Sequence, residues 1–212
     1  MDKQDVLKAL TELKQQPKRK FSQSYDLIVN LKNIVVKQNP IDFFVTLHYS
    51  PGRKIKIAAF VDQELKDQAK EFCDLVIQEE QFAKYHDKKV GRKLAREYDY
   101  FIAQANLMPK IAAAFGKALG TRGKMPNPKM GCVVPPNANL EALRKKLEVT
   151  VRLTTKQGLN LQCLVGKEGQ NDNEIADNIV VVYNNVLKSL PNESQNIKNI
   201  YLKTTMGKPV RI

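Results

Sequence analysis

Histidine and cysteine, which most often hold transition metals in proteins, are scarce in this 212-residue sequence, which contains two His and three Cys. Cys73, Cys132 and Cys163 are odd in number and lack paired spacing, so neither a disulfide framework nor a zinc knuckle is predicted. We interpret all three as small buried hydrophobic residues. His48 and His86 have no second histidine or cysteine at ligand spacing. The sequence therefore predicts no metal site and no cofactor.

Long hydrophobic runs are also missing. The first twenty residues mix charges and lack the apolar core of a secretory signal peptide, and the longest apolar runs are far too short to span a bilayer. We therefore expect a cytoplasmic protein with no membrane partner. The chain is long enough for one large domain or two small ones, each able to bury a core.

The phosphate-binding signatures of nucleotide enzymes do not occur. A Walker loop requires Gly-x-x-x-x-Gly-Lys-Ser/Thr, whereas Gly123-Lys124 is followed by Met125, and Ala118 stands five residues before Gly123. The G-x-G-x-x-G pattern, His-Glu-x-x-His, a nucleophile elbow and paired Cys motifs are absent as well. We predict no catalytic residue and no enzymatic activity. A nucleotide-binding enzyme that uses a doubly wound sheet is the alternative.

Negative charge is in deficit, because 35 Lys and Arg face 22 Asp and Glu, which gives a formal net charge of +13 and a pI near 9.6. This charge favours a polyanionic partner, and nucleic acid is favoured over a membrane because no basic helix with a bulky apolar face stands out. Six basic residues fall in a helical stretch between Lys84 and Arg96. A solvated helix face is the favoured interpretation of that stretch, and phosphate contact is the alternative.

One segment, residues 116–131, combines four glycines, two prolines and four basic residues without a carboxylate. Such a composition predicts a loop, because helix cannot continue through Pro126 and Pro128. We expect Arg122, Lys124 and Lys129 to extend into solvent. A solvated connector and an anion-binding loop are both compatible with these residues.

The run from Gly120 to Lys129, Gly-Thr-Arg-Gly-Lys-Met-Pro-Asn-Pro-Lys, resembles the signature of the large ribosomal subunit stalk protein one family, in its archaeal form. This family has two domains and forms the mobile stalk beside the tRNA exit site. The resemblance covers nearly the whole chain. It is weakest from Val149 to Val165, where the 154–158 turn differs in length and residues from the bacterial hairpin.

Alternating apolar residues at both ends of the chain predict an α+β domain. Strands are expected at 22–31, at 41–49 as its partner, at 149–163 as a hairpin-like pair, and at 197–204. Helices are expected after Asp2 or Asp5 and from residue 172 to Leu190. Neither end completes this layer alone, so we predict a discontinuous domain, residues 1–52 plus 149–212, with an antiparallel sheet and helices on one face.

The middle of the chain has a different pattern. Nearly continuous apolar runs at 55–61, 74–77 and 100–103 alternate with helical segments, including one from Pro109 to Ala118 and one from Asn139 to Leu147. Strands buried on both faces and joined by helices predict a Rossmann-like, doubly wound parallel sheet. We therefore predict an inserted domain at 53–148, joined through a hinge near Gly52 and Glu148.

The resemblance also identifies the main site. Thr205-Met206-Gly207 is similar to the family's Thr-Met-Gly element, and Lys20-Phe21 matches the Lys-Phe pair at the start of its first strand. Hydroxyls and a glycine backbone can bond phosphate or 2′-hydroxyl without carrying charge. We expect neighbouring strands to add Ser24, Asp26, Lys203 and Thr204. Arg122, Lys124 and Lys129 are predicted secondary RNA contacts.

The resemblance implies a structural ribosomal protein that binds large-subunit rRNA and assists the release of deacylated tRNA. It also implies that the free protein is a monomer and represses translation by binding its own mRNA.

Overall fold

The computed structural model describes residues 1–17, 19–35, 40–85, 87–155 and 158–212. His86 and two residues of the 154–158 turn lie outside these ranges. The chain forms two compact units, one made of Met1–Arg53 and Val149–Ile212 and the other of Lys54–Glu148. We call them the terminal unit and the inserted unit. Within the described residues, no helix is both long and apolar enough to cross a bilayer.

The elements are as follows. The terminal unit contains helices α1 (Lys3–Gln15) and α6 (Asp172–Ser189) and strands β1 (Ser24–Leu31), β2 (Asp42–Thr46), β7 (Thr150–Thr154), β8 (Asn160–Lys167), β9 (Ile197–Thr204) and β10 (Val210–Arg211). The inserted unit contains helices α2 (Lys66–Phe72), α3 (Lys88–Glu97), α4 (Met108–Gly120) and α5 (Leu140–Glu148) and strands β3 (Ile57–Phe60), β4 (Leu75–Ile77), β5 (Tyr100–Gln104) and β6 (Val133–Val134). Short 3₁₀ turns connect several of them.

The main sheet of the terminal unit is antiparallel, with strand order β10-β9-β1-β8. Along β1 the side chains alternate, and Tyr25, Leu27, Val29 and Leu31 are buried. They share one core with the apolar stripes of α1 and α6. The predicted antiparallel sheet with helices on one face is confirmed, and its other face remains half-exposed.

Two strand pairings in this unit were predicted wrongly. Strand β2 does not pair with β1, and β7 does not form a hairpin with β8; instead β2 and β7 make their own two-stranded antiparallel sheet. The Thr155 N–H donates to the Ile41 carbonyl at 2.9 Å and continues this ladder. Alternation along a strand shows which side chains are buried, but it carries no information about the partner strand.

The sheet of the inserted unit is parallel, with strand order β4-β3-β5-β6. Every residue of β3 is fully buried, so both faces of the sheet are covered. Phe60, Phe101 and Phe115 belong to the core shared with α3 and α4. Helices α2 and α5 pack on each other, and the Arg144 guanidinium of α5 donates to the Phe72 carbonyl at 2.6 Å. The Rossmann-like prediction is confirmed.

Candidate nucleic-acid interface

The start of β1 meets the segment that follows β9. The Ser24 N–H donates to Thr205 Oγ1 at 3.0 Å, and the Thr205 N–H donates to the Ser24 carbonyl at 3.1 Å. These bonds extend the β1–β9 ladder one residue beyond the Tyr25–Thr204 pair. The Thr205 hydroxyl therefore already has an intramolecular partner, and its main effect is to hold the loop against β1.

A buried glutamine beside Ser24 positions the next residue of the loop. Gln23 is 4% exposed, and its Oε1 accepts the Met206 N–H at 3.0 Å. The carboxylate of Glu168 in turn accepts the Gln23 backbone N–H at 2.8 Å and its Nε2 at 3.2 Å. Gln23 and Glu168 were not among the predicted residues, because their distance of 145 positions in the chain leaves no local signal.

A second glutamine holds the other end of the loop. Gln16, which follows α1, accepts the Lys208 N–H at 2.9 Å and donates to the Lys208 carbonyl at 3.0 Å. Gly207 lies between Gln16 and Thr204, and a Cβ added there would be 2.1 Å from Thr204 Oγ1 and 2.6 Å from Gln16 Oε1. Only glycine fits this close approach. The side chain of Thr204 is itself 3% exposed, so it supports Gly207 rather than facing solvent.

Two large apolar side chains are exposed at this strand end. Met206 is 61% exposed, although its backbone is bound to Gln23, and Phe21, two residues before Gln23, is 51% exposed. Lys20 is exposed beside Phe21. We call Lys20, Phe21, Thr205, Met206 and Gly207 the strand-end surface.

The half-exposed face of the main sheet continues from the strand-end surface. Asp26 and Lys203 are register partners on β1 and β9 and lie on this face together with Ser24. Burial raises the pKa of the Asp26 carboxyl, while the charge of Lys203 acts in the opposite direction. Two further residues with aromatic or cationic groups lie on the same face, Tyr201 and its register partner Arg211. The period-two alternation of β9 could have identified Tyr201.

The loop of the inserted unit differs in two ways from the prediction. Helix α4 continues to Gly120, so the first five residues of 116–131 are helical, and the turn follows with Gly123 at φ +64°. Arg122 and Lys129 are exposed as predicted, but the Lys124 ammonium donates to the Tyr98 carbonyl at 2.6 Å and is half-buried. The predicted solvent exposure of Lys124 is therefore wrong, because a long flexible side chain folded back onto an available carbonyl.

The segment at the carboxyl end of β3 does not resemble a phosphate-binding turn. The segment after β3 is Val61-Asp62-Gln63-Glu64, which contains no glycine. The buried Gln104 accepts the Asp62 N–H at 2.9 Å and donates to the Glu64 carboxylate at 3.3 Å. Carboxylates at this edge repel a nucleotide phosphate, so the geometry does not favour the enzymatic alternative.

The three cysteines are buried, and burial raises the pKa of Cys73 and Cys132 to about 11 and that of Cys163 to about 12. Thiols with such pKa values are neutral and unreactive at neutral pH. In the part of the chain that the structure describes, no group of three or more His, Cys, Asp or Glu side chains could hold a metal ion.

Comparison with known proteins identifies the family. Residues 13–208 match the model of the Ribosomal protein L1p/L10e family. Among curated relatives named large ribosomal subunit protein uL1, that of Nanoarchaeum equitans is 41% identical over 92% of this chain and 93% of its own length. Those of Methanothermococcus thermolithotrophicus and Pyrococcus abyssi are 38% and 39% identical over the whole of this chain and 99% and 96% of theirs. These relatives carry the name of a ribosomal protein and not of an enzyme. The chain belongs to the Ribosomal protein L1p/L10e family and is a structural protein of the large ribosomal subunit.

Proposed function

We propose that the strand-end surface binds folded large-subunit rRNA. The observation that carries this proposal is the pair of exposed apolar side chains, Phe21 and Met206, next to backbone that Gln23, Glu168 and Gln16 hold in place. RNA offers unstacked bases and ribose faces, on which aromatic and apolar side chains pack. Because the backbone is already ordered, little conformational entropy is lost when RNA binds.

The polar groups around this pair supply the remaining contacts. Lys20 and Lys203 are suited to phosphate, and the Asp26 carboxylate can accept a bond from a 2′-hydroxyl or a base amino group. The backbone of Gly207 allows close approach of the RNA, while Thr204 and Thr205 hold the loop in shape. The contact set therefore depends on shape and hydroxyl groups as much as on charge.

We assign a smaller role to the loop of the inserted unit. Arg122 and Lys129 are exposed and can contact phosphate. Lys124 acts indirectly, because its bond to the Tyr98 carbonyl ties the loop to the end of α3.

On the ribosome, we propose that this chain is the protein part of the mobile stalk and contacts deacylated tRNA transiently as it leaves. Its two domains, 1–52 plus 149–212 and 53–148, would move about the connections near Gly52 and Glu148. The free monomer would repress translation by binding its own mRNA at a mimic of the rRNA site. Membership of the family and the net charge of +13 support these roles.

Filter binding to a stalk-rRNA fragment tests the main proposal. Phe21→Ala and Met206→Ala are each expected to weaken binding by about 1 to 3 kcal/mol, or about five- to a hundredfold, without loss of thermal stability. Val35→Ala and Leu159→Ala are matched controls, since these side chains are 57% and 39% exposed in the same unit near the opposite end of β1, where the Leu31 N–H donates to the Leu159 carbonyl. Equal affinity of all four variants would refute the assignment.

The salt dependence of the same binding reaction gives an independent test. Because hydroxyl and backbone groups make much of the contact, we expect about 3 to 5 phosphates to be neutralised on the stalk fragment. A slope corresponding to about ten neutralised phosphates would indicate non-specific electrostatic binding instead.

A further inference from the structure

Helix α3 carries a row of positive charge that the proposed function does not use. Lys89, Arg92, Lys93 and Arg96 follow the spacing i, i+3, i+4, i+7 and therefore lie on one face of the helix. All four side chains are exposed, and none forms an ion pair with another described residue. The only acidic residue of α3, Glu97, pairs with Lys56 at 3.6 Å. We call these four residues the basic row.

The opposite face of α3 fixes the orientation of the basic row. Leu94 and Ala95 are buried in the core of the inserted unit. Gly91 packs so closely on α4 that an added Cβ would lie 3.1 Å from the Cβ of Ala118. The Asp87 carboxylate caps the helix by accepting the Lys89 N–H at 3.1 Å. The basic row is therefore held on a well-anchored helix and points away from the core.

Helices α2 and α5 neutralise several of their charges locally. In α5, Lys145 pairs with Glu141 and Arg144 with Glu148, both at i, i+4, and in α2 Lys70 pairs with Asp67. Within the basic row, all four i, i+3 and i, i+4 pairs have like charge, which destabilises a helix. Glu97 follows Lys93 at i, i+4 but forms its ion pair with Lys56. Solubility alone does not require this arrangement, because alternating charges serve it equally well. The arrangement therefore points to a partner that supplies the negative charge.

We propose that the basic row is a second RNA-binding surface, which contacts the sugar-phosphate backbone of an RNA duplex without reading its bases. The proposal rests on the proposed function only in taking RNA as the natural polyanion of this chain. Four cations along about 10 Å of helix match a regular array of phosphates, and two of them are arginines, which bind phosphate in a bidentate manner.

The surroundings of the basic row argue against other partners. Among the described side chains of α3, Val90 is the only large hydrophobic one with substantial solvent exposure, at 38%. Insertion into a membrane surface requires a broad apolar face, and a protein interface requires buried apolar or aromatic anchors. Phosphate contact requires neither.

The test compares two full-length variants of equal charge. The first replaces the basic row (K89Q, R92Q, K93Q, R96Q), and the control replaces four lysines on α2 and α5 (K66Q, K70Q, K145Q, K146Q). Both lower the formal net charge by four from the value of +13. The probe is a labelled RNA duplex of mixed sequence and about twenty base pairs, titrated over a range of salt concentrations. We expect the basic-row variant to bind at least about tenfold more weakly at low salt. The slope of its affinity against salt concentration should correspond to about three fewer neutralised phosphates, while the control should retain most of the affinity and most of the slope.

Equal losses in the two variants would show that only total charge matters and would overturn the proposal. An unchanged basic-row variant would overturn it as well. The proposal would also be overturned if the basic-row variant still bound the duplex but no longer bound polyglutamate or anionic phospholipid vesicles. The partner would then be an acidic protein or a membrane. Binding of the strand-end variants Phe21→Ala and Met206→Ala is measured with the stalk-rRNA fragment instead of the duplex. The strand-end proposal and the basic-row proposal can therefore fail independently of each other.

Discussion

Replacing Gly207 by alanine places a methyl group where the structure has no room for one. The new Cβ would lie 2.1 Å from Thr204 Oγ1 and 2.6 Å from Gln16 Oε1, both far inside van der Waals contact. Thr204 is 3% exposed and packed in the sheet, so its side chain has little freedom to move. The methyl group therefore fits only if Gln16 leaves the Lys208 backbone and the loop shifts away from Thr204.

The magnitude follows from the bonds that are lost. Gln16 makes two hydrogen bonds to Lys208, and each contributes about 0.5 to 1.5 kcal/mol. Because the contact with Thr204 adds to this loss, we expect the loop to lose at least about 1 to 3 kcal/mol of local stability and RNA affinity to fall by at least about five- to a hundredfold. The global unfolding transition should change less than the affinity, because the perturbed loop lies at the edge of the terminal unit.

Filter binding to the stalk-rRNA fragment and thermal unfolding measure these two effects. Gly116→Ala is the control, because this glycine lies within α4, where an added Cβ meets nothing within 4 Å and should stabilise by about 0.5 to 1 kcal/mol. Gln16→Ala should reproduce the part of the binding defect that comes from the lost Lys208 bonds, and Gly207→Ala should add the part that comes from the contact with Thr204. Wild-type affinity of Gly207→Ala would refute the reasoning.

Three further predictions concern stability and reactivity. Asn178→Ala should lower the free energy of unfolding, measured in urea, by about 3 kcal/mol or more. The reason is that the buried amide makes three hydrogen bonds of 3.0 Å to the backbone of Tyr49 and Val165. A loss below about 1 kcal/mol would contradict this prediction. The basic-row variant should be more stable than the wild type by about 1 to 2 kcal/mol at low salt, with the gain shrinking at high salt, since four like-charge contacts disappear; a loss of stability would contradict it. The three cysteines, with pKa values raised to about 11 or about 12 by burial, should not react with a thiol reagent at pH 8 until the protein unfolds. Since unfolded thiols ionise first, stability should fall as pH rises above about 9.

Much of the fold could be predicted because its signals are local. The alternation of Tyr25, Leu27, Val29 and Leu31 predicted a half-buried strand, and the apolar run that includes β3 predicted a strand buried on both faces. The boundaries of β9 were predicted correctly for the same reason. Partner strands were harder: β2 and β7 pair across more than a hundred residues, and no local pattern encodes that choice.

In the candidate site, too, residues with a local sequence signal could be predicted and residues without one could not. The Thr-Met-Gly and Lys-Phe elements could be identified from the sequence because a family resemblance marked them. Gln16 and Gln23 could not, since an isolated glutamine in a sequence has no distinguishing pattern. The error at Lys124 has a related cause, because composition predicts that a lysine in a glycine-rich loop is solvated, whereas a nearby carbonyl changes its orientation.

The sequence by itself determined the periods of burial, the excess of positive charge, the lack of a Walker or G-x-G-x-x-G motif, and the motifs that mark the family. Each of these depends on residues close together in the chain or on composition. Only the tertiary structure decided that Gln16 binds Lys208, 192 positions away, and that Gln23 joins Glu168 to Met206. Such contacts arise from packing and hydrogen-bond satisfaction between distant segments, and they turn a short loop into a preorganised surface.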